Sequence, residues 1–394
     1  MKPKSILIFG AGKIGRSFIG QLFSRGGYEV IFIDKDEKII NSLNRLTRYP
    51  VIIKGDEEET IWIENVSGIS LSDKKEVIGK FKTINLIAVS VGSFGFQAVA
   101  VIIAAGLMER EKNGNFDPVD VILAENLRNA GEILYHYMTP LLPDGFKINE
   151  RVGFIETSIG KMVPIMPPEI TLKDPLMIYA EAYNTLIVDA KGFRNEIPAI
   201  KGLLAKENME AWVDRKLFIH NLGHATTAYL GNYYFPNKTF IWEVLEAEEI
   251  SKKVYDTMIE AAVVLQTIYP DEFTREQLTD HINDLIRRFK NKSLGDTIFR
   301  VGCDLKRKLS FNDRLVAPLR LAYKNNLPYN NILFSLICGC SFNAVDVLGE
   351  ALEDDMLINE EYKKSGISEI LIKYCNLDRK KYTGIFNEAE KMKL

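Results

Sequence analysis

The run Ile6-Leu7-Ile8-Phe9-Gly10-Ala11-Gly12-Lys13-Ile14-Gly15-Arg16 sets four apolar residues directly ahead of three glycines, and an apolar-periodic stretch continues from Ile14 to Ser24. A buried strand, a glycine turn and a helix in that order form a dinucleotide-binding fingerprint, because each glycine meets a different steric demand. Gly10 permits the tight turn, Gly12 lets the main chain approach a pyrophosphate, and Gly15 lets helix and strand come close. The helix N-terminus meanwhile offers unpaired N–H groups to the phosphates. A second apolar run, Val30 to Ile33, ends at Asp34, about 20 residues beyond the loop. A carboxylate there accepts hydrogen bonds from adenosine ribose hydroxyls and repels a 2′-phosphate, so NAD is expected over NADP, with Lys35 weakening the preference. The expected cofactor-binding residues are therefore Gly10, Ala11, Gly12, Lys13, Ile14, Gly15 and Asp34. A glycine triplet alone also fits a tight turn that binds nothing; strand, helix and Asp34 in register argue for the dinucleotide. FAD stays open here, because Leu86 to Val89 followed by Ser90-Val91-Gly92 suits either cofactor.

Outward from this loop, the chain to about Pro167 alternates short apolar runs with helical patterns, as βαβ units feeding a parallel sheet do. Strands are expected at Ile6 to Phe9, Val30 to Ile33, Leu86 to Val89, Val119 to Leu123 and Phe154 to Ile155. Helices are expected at Ile14 to Ser24 and Leu127 to Tyr137. Gly55 to Thr60, followed by Ile61-Trp62-Ile63, reads as a hairpin-like excursion. Gly192 to Pro198 reads as a connector. Beyond Lys201 the pattern is almost wholly helical, with segments at Val244 to Ile268, Arg275 to Phe289, Asp313 to Asn325 and Ala344 to Leu352, and no fixed-period repeat. The expected architecture is an α/β Rossmann-type N-terminal domain with an all-α C-terminal domain. Residues 1–195 form the NAD-binding part and residues 196–394 the helical substrate and catalytic part.

A chain of 394 residues exceeds what one core usually organises, and 46% apolar with 26% charged content is that of a globular protein. A formal net charge of −3 supplies no broad positive field for nucleic acid or anionic membrane, so the expected partners are small molecules. The apolar start after Met1-Lys2-Pro3-Lys4 is too short for a signal core, and Val99 to Met108 is far below the ~20 residues of a spanning helix. A cytoplasmic protein, monomer or homodimer, is expected. Cys303, Cys338, Cys340 and Cys375 match neither a zinc pattern nor a redox pair and read as reduced, buried thiols.

The segment Asp214-Arg215-Lys216-Leu217-Phe218-Ile219-His220-Asn221-Leu222-Gly223-His224 gathers polar groups into an apolar helical stretch and holds two of the four histidines. At about 100° per residue, Asn221 and His224 project at about 140° and about 80° from Lys216, so the three share one broad face. A continuous helix separates the ends of the set by about 12 Å, so the lysine stem must reach back or the helix must bend, with Gly223 the expected place. Oxidising an alcohol needs a base for the hydroxyl proton and groups that hold the oxygen. A desolvated Lys216 beside Arg215 suits the first task; Asn221 and His224 suit the second without metal. Taken alone, a solvated surface lysine and core histidines fit the same residues.

Phe9-Gly10-Ala11-Gly12-Lys13-Ile14-Gly15-Arg16, Glu125-Asn126, Arg215-Lys216-Leu217-Phe218 with Asn221 and Gly223-His224, and Arg307-Lys308-Leu309-Ser310 with Asp313-Arg314-Leu315 together resemble the polyol-specific long-chain dehydrogenases of the mannitol dehydrogenase superfamily, most of all their mannitol-1-phosphate branch. The similarity runs from Ile6 to at least Leu327. It implies a metal-free NAD enzyme with Lys216 as general acid and base, and with Asn221 and His224 orienting and polarising the reacting carbon–oxygen group. It also implies that Asn126 binds substrate and that Arg307, Lys308 and Arg314 face it, where they would meet a phosphate by charge-assisted bonds. A solvated basic helix end accounts for those three cations equally well.

One position departs from the family pattern. Where the family carries Val-Asp-Arg shortly before a Val-Pro pair, this chain reads Ile159-Gly160-Lys161 and then Met162-Val163-Pro164. The aspartate expected to hold substrate hydroxyls is missing, which points to a polyol, sugar acid or sugar phosphate with a different hydroxyl pattern. Three other readings share the sequence signals: a hexuronate (fructuronate or tagaturonate) reductase of the same family, a 6-phosphogluconate-type hydroxyacid dehydrogenase, and a non-catalytic NAD sensor.

Overall fold

Along the first strand, Ile6 and Ile8 join one buried cluster while Leu7 and Phe9 join another, so the strand is covered on both faces. That two-sided burial is what an all-parallel sheet with helices on each side requires. The computed structural model describes residues 4–55 and 57–392. The reading made on Met1-Lys2-Pro3 and the Asp56 position of the Gly55 to Thr60 excursion lie outside those residues. The chain divides into two compact units, the first ending at Trp212 and the second beginning at Val213.

In the first unit six strands are all parallel: β1 (Ser5–Phe9), β2 (Glu29–Asp34), β3 (Val66–Ser70), β4 (Leu86–Val89), β5 (Val119–Leu123) and β6 (Val152–Ile155). Their order is β3-β2-β1-β4-β5-β6, that of the doubly wound dinucleotide-binding sheet, whose direction of progress reverses between β1 and β4. Phe18, Ile19 and Leu22 cover one face, and Phe96, Val99 and Ile103 the other. The apolar run Val99 to Met108 thus belongs to the helix Phe96–Lys112, half of whose residues are buried in this sheet packing.

The sequence did not mark β3, whose short Val66–Ser70 run carries a central glycine. Gly68 is there for close packing: a Cβ on it would stand 2.9 Å from Ile40 Cδ1, on the helix Glu37–Leu46. The expected hairpin is formed by Arg48–Ile53 and Glu59–Glu64, antiparallel, with Ile178–Ala180 added as a third, parallel strand. A third sheet joins Leu203–Lys206 in parallel, and Thr157–Ile159 antiparallel, to Leu186–Asp189. Leu203–Lys206 lies beyond the connector read at Gly192 to Pro198, yet this pairing makes it part of the first unit.

Among the described residues every regular element of the second unit is helical. Arg275–Phe289 coincides with its expected span, held at its start by a Thr274–Gln277 capping box. The single helix expected at Val244 to Ile268 is two, Ile241–Leu245 and Glu248–Ile268, because Ala247 is extended (ψ 108°). The helix expected from Asp313 is shorter, Val316–Lys324. Ala344 to Leu352 is not helical: Asp346 Oδ1 accepts from the main-chain N–H of Leu348 and Glu350, an Asx-type turn that competes with a helix, and the next helix is Glu353–Ser365. The helices Asn330–Cys340, Ile367–Lys373 and Thr383–Lys391 also belong to this unit. Its four cysteines are free thiols, and Cys303 is partly exposed rather than buried. Among the described residues no helix is long and apolar enough to cross a membrane.

Candidate active site

The first unit carries the glycine cradle. Gly10 has φ +99°, in the left-handed region, and its N–H donates to Ile33 O at 2.8 Å, tying the loop to β2. A Cβ on Gly10 would collide with Ser90 O, and one on Gly15 would collide with Gly10 O; a Cβ on Gly12 would meet no protein atom within 4 Å. Two glycines are therefore needed by the fold, while the third leaves open space beside the main chain, as a pyrophosphate would need. Lys13 and Ile14 open the helix, which is wound as a π-turn over Gly15–Gly20 before Gln21–Arg25. Arg16 turns inward, donating from Nε to Ala11 O at 2.7 Å and from Nη1 to Pro175 O and Leu176 O at 2.8 and 2.7 Å.

Asp34 stands at the end of β2, where the ribose was expected. Its Oδ2 accepts from Ala11 N–H at 2.6 Å and its Oδ1 from Asp36 N–H at 3.0 Å. A carboxylate has about four lone-pair positions, so capacity for ribose hydroxyls remains, but the Ala11 N–H is committed to Asp34. Next to it, Lys35, Glu37, Ser70, Leu71, Ser72 and Ile102 are among the residues that line a cavity of about 400 Å³. Open space at Gly12 and a carboxylate and cavity at the ends of β2 and β3 fit a dinucleotide.

Across the reversal point of the sheet, Gly92 N–H donates to Glu125 Oε1 at 2.6 Å, coupling the loop after β4 to the loop after β5. Burial raises the Glu125 carboxyl above its usual range, opposed by the N–H groups of Gly92 and Val91. Asn126, next in the chain, is exposed. Gly160 has ordinary room beside it, its Cβ position lying 3.5 Å from the Tyr183 ring, so no crowding excludes a side chain there. Lys161 is buried and donates to Asn184 Oδ1 at 2.9 Å.

The second unit holds the lysine cluster. Lys216–Asn221 is wound as a π-turn between the helices Met209–Arg215 and Leu222–Tyr234. An i→i+5 turn takes roughly one residue more per revolution than an α-turn, so Asn221 swings back toward the azimuth of Lys216, and His224 with it. The alignment expected from a bend at Gly223 is thus supplied by the winding of the preceding turn. Gly223 serves packing instead, a Cβ there falling 2.5 Å from Met258 Sδ on the helix Glu248–Ile268.

Burial and then the charge of Arg314 push the Lys216 ammonium down to about 8. The neighbour that sets it is Arg314 rather than the expected Arg215. Arg314 is itself held by Asp313, its Nε donating to Oδ1 at 2.8 Å. His224 lies stacked on Phe289, ring centroids 4.8 Å apart and planes 17° from parallel, and its Nε2 is 3.0 Å from Asp296 Oδ2. Burial, then the charges of Arg300, Arg314, Lys308 and Arg288, lower His224 to about 3, so the ring is neutral at pH 7. His220 is buried against Phe289 and belongs to the core.

The three cations expected to face a phosphate differ in their surroundings. Arg314 lies near enough for its charge to act on Lys216. Lys308 is buried, with Nζ donating to Val301 O at 2.6 Å and to Cys303 O, and burial with Arg314 lowers it to about 8. Arg307 is about half exposed (52%) and pairs with Asp304 at 2.5 Å and Asp313 at 3.6 Å. Sequence reasoning missed Phe289, Asp296 and Arg300. Asp296 and Arg300 form an ion pair four residues apart, at the start of the helix Ile298–Gly302, and that spacing was the available signal. Among the described residues no group of three or more His, Cys, Asp or Glu is placed to hold a metal ion.

Two family models match this chain in sequence. The mannitol dehydrogenase Rossmann domain matches residues 4–202, and the mannitol dehydrogenase C-terminal domain matches residues 208–381. Among solved structures, the Pseudomonas fluorescens mannitol 2-dehydrogenase, in a ternary complex with NAD and D-mannitol, is similar at 15% identity and TM-score 0.70, covering 99% of this chain and 94% of that one. A D-sorbitol dehydrogenase in substrate-free form is similar at 15% identity and TM-score 0.79, covering 98% of this chain and 92% of that one. At such identities the likeness is one of fold.

Proposed function

We propose, because this chain belongs to the mannitol dehydrogenase family, that it is an NAD-dependent oxidoreductase acting on CH–OH groups whose substrate pair is a polyol phosphate and its ketose phosphate, most like mannitol 1-phosphate and fructose 6-phosphate. The observation that carries the chemistry is Lys216, a partly buried lysine at about 8 on the same helical stretch as Asn221 and His224. In this reading Gly10, Gly12, Gly15 and Asp34 hold NAD, Asn126 binds substrate, and Lys216, Asn221 and His224 are the proton-transferring and substrate-holding groups.

When bound, NAD supplies the acceptor for the hydride of the alcohol carbon. Neutral Lys216 takes the hydroxyl proton at Nζ as the alcohol is oxidised; in the reverse direction its ammonium returns that proton to the carbonyl oxygen. A lysine near 8 has useful populations of both forms at neutral pH, which one at its ordinary value lacks. Asn221 and His224 orient the oxygens around the reacting carbon, and Arg314 with Lys308 supplies the positive field for a phosphate.

The internal pairing of Lys308 and Arg307 favours a second reading within the family, an unphosphorylated polyol or a hexuronate, since these cations already have partners. NADH absorbance distinguishes the two. Fructose 6-phosphate, fructose, fructuronate and tagaturonate are offered with NADH, and mannitol 1-phosphate, mannitol and arabinitol with NAD. Turnover confined to the phosphorylated pair is expected; turnover only of the others replaces it with the second reading. Lys216→Ala is expected to abolish turnover while NADH binding, read by fluorescence, persists. Turnover surviving that change ends the lysine mechanism.

A further inference from the structure

Asp296 is 2% exposed and has two partners: His224 Nε2 at 3.0 Å, on Oδ2, and the guanidinium of Arg300, on Oδ1. A buried carboxylate is costly unless paired, and Arg300 supplies the compensating charge, so Asp296 is held as an anion that only accepts hydrogen bonds. Burial first, and then the charges of Arg300, Arg314, Lys308 and Arg288, hold His224 neutral, because the Asp296 carboxylate beside it is already matched by Arg300; a neutral imidazole carries one N–H. An accepting oxygen at Nε2 requires that proton on Nε2, which leaves a lone pair on Nδ1. Stacking on Phe289 restrains the plane of the ring.

We propose that Asp296 is a positioning residue: by accepting the Nε2 proton of His224 it holds the ring as one tautomer and makes Nδ1 a hydrogen-bond acceptor for a substrate hydroxyl. The inference rests on the functional reading above and sharpens it. An accepting Nδ1 cannot donate to a carbonyl oxygen, so His224 engages a hydroxyl that keeps its proton, beside the reacting centre, and does not polarise the carbonyl. Donation to the reacting oxygen then falls to Asn221 and protonated Lys216. The substrate class follows: a chain carrying a hydroxyl next to the carbon being oxidised, as polyols and their phosphates do and simple secondary alcohols do not.

The test is long-range 1H–15N correlation of the full-length protein labelled with 15N-histidine, the His224 signals being assigned by their loss in His224→Gln. In the wild-type protein His224 is expected as the Nε2–H tautomer, and an Nδ1–H pattern overturns the proposal without any Asp296 variant having to fold. In Asp296→Asn the amide can donate to Nε2, so the ring is expected to pass to Nδ1–H. In that variant kcat should fall about 10²- to 10⁴-fold, as when another histidine loses its orienting carboxylate, with NADH affinity unchanged. An unchanged tautomer or an unchanged kcat in folded Asp296→Asn also overturns it. Should the wild-type protein turn over none of the polyols while the tautomer still switches, the functional reading fails and the hold of Asp296 on His224 stands.

Discussion

Arg314 is the cation whose charge acts on Lys216, and after burial it is the cause of the lysine's descent to about 8. Two positive groups near one another repel, more so where burial weakens screening, and the ammonium form loses most. Oxidation uses the neutral amine and reduction uses the ammonium. Alcohol oxidation should therefore rise with pH through about 8, and ketose reduction should fall through the same value. Removing the repulsion with Arg314→Gln raises the lysine, so both profiles move to higher pH. A bell or a plateau unmoved by Arg314→Gln would show that another group controls the rate.

The three glycines of the loop should separate by function. Gly15→Ala drives a Cβ into Gly10 O, and the backbone must shift, so both thermal stability and NAD binding are expected to fall. Gly12→Ala has no protein atom within 4 Å of the new methyl. Its melting temperature should stay near wild type while NAD affinity drops about tenfold or more, some 1.4 kcal/mol, as main-chain approach to the phosphates is lost. Calorimetry and a fluorescence titration on the two variants check the contrast.

Gly223→Ala is expected to destabilise the protein by about 1–3 kcal/mol through overpacking. The clash is with Met258 Sδ at 2.5 Å, the far end of a flexible side chain. Met258→Ala creates a cavity beside the same spot, so the double variant should be more stable than the sum of the two single losses. Strict additivity in denaturant unfolding would mean that the two side chains do not share this space.

Gly160→Asp should fold, since its Cβ lies at ordinary contact from Tyr183 at 3.5 Å. If the missing carboxylate decides which hydroxyls are read, this variant should change the ranking of polyols in the NADH assay, through kcat/KM rather than stability. An unchanged ranking would place substrate choice elsewhere in the chain.

The glycine run, Asp34 and the alternating burial of β1 were legible because they depend on residues close in sequence: a turn needs glycine where a Cβ cannot fit, and a strand's two faces are set by period two. Lys216, Asn221 and His224 were legible as residue types at a helical spacing. Their true alignment was not, since an i→i+5 turn and an α-turn have the same apolar pattern over six residues. The short strand Val66–Ser70 was hidden because its identity comes from pairing with β2, 36 residues away between partners Val30 and Val66, and from Gly68 packing on Ile40. Ala344 to Leu352 looked helical by its apolar residues, and a local Asp346 turn overrode them.

By itself, then, the sequence determined the class of fold, the glycine turn between the first strand and its helix, and the helical stretch that carries Lys216, Asn221 and His224, all of which follow from local sterics and short-range periodicity. Only the tertiary structure decided which charge acts on the lysine and which carboxylate holds the histidine. Arg314 lies 98 positions from Lys216, and Asp296 lies 72 from His224. Electrostatic effects fall off with distance in space and grow with burial, and neither quantity is written along the chain.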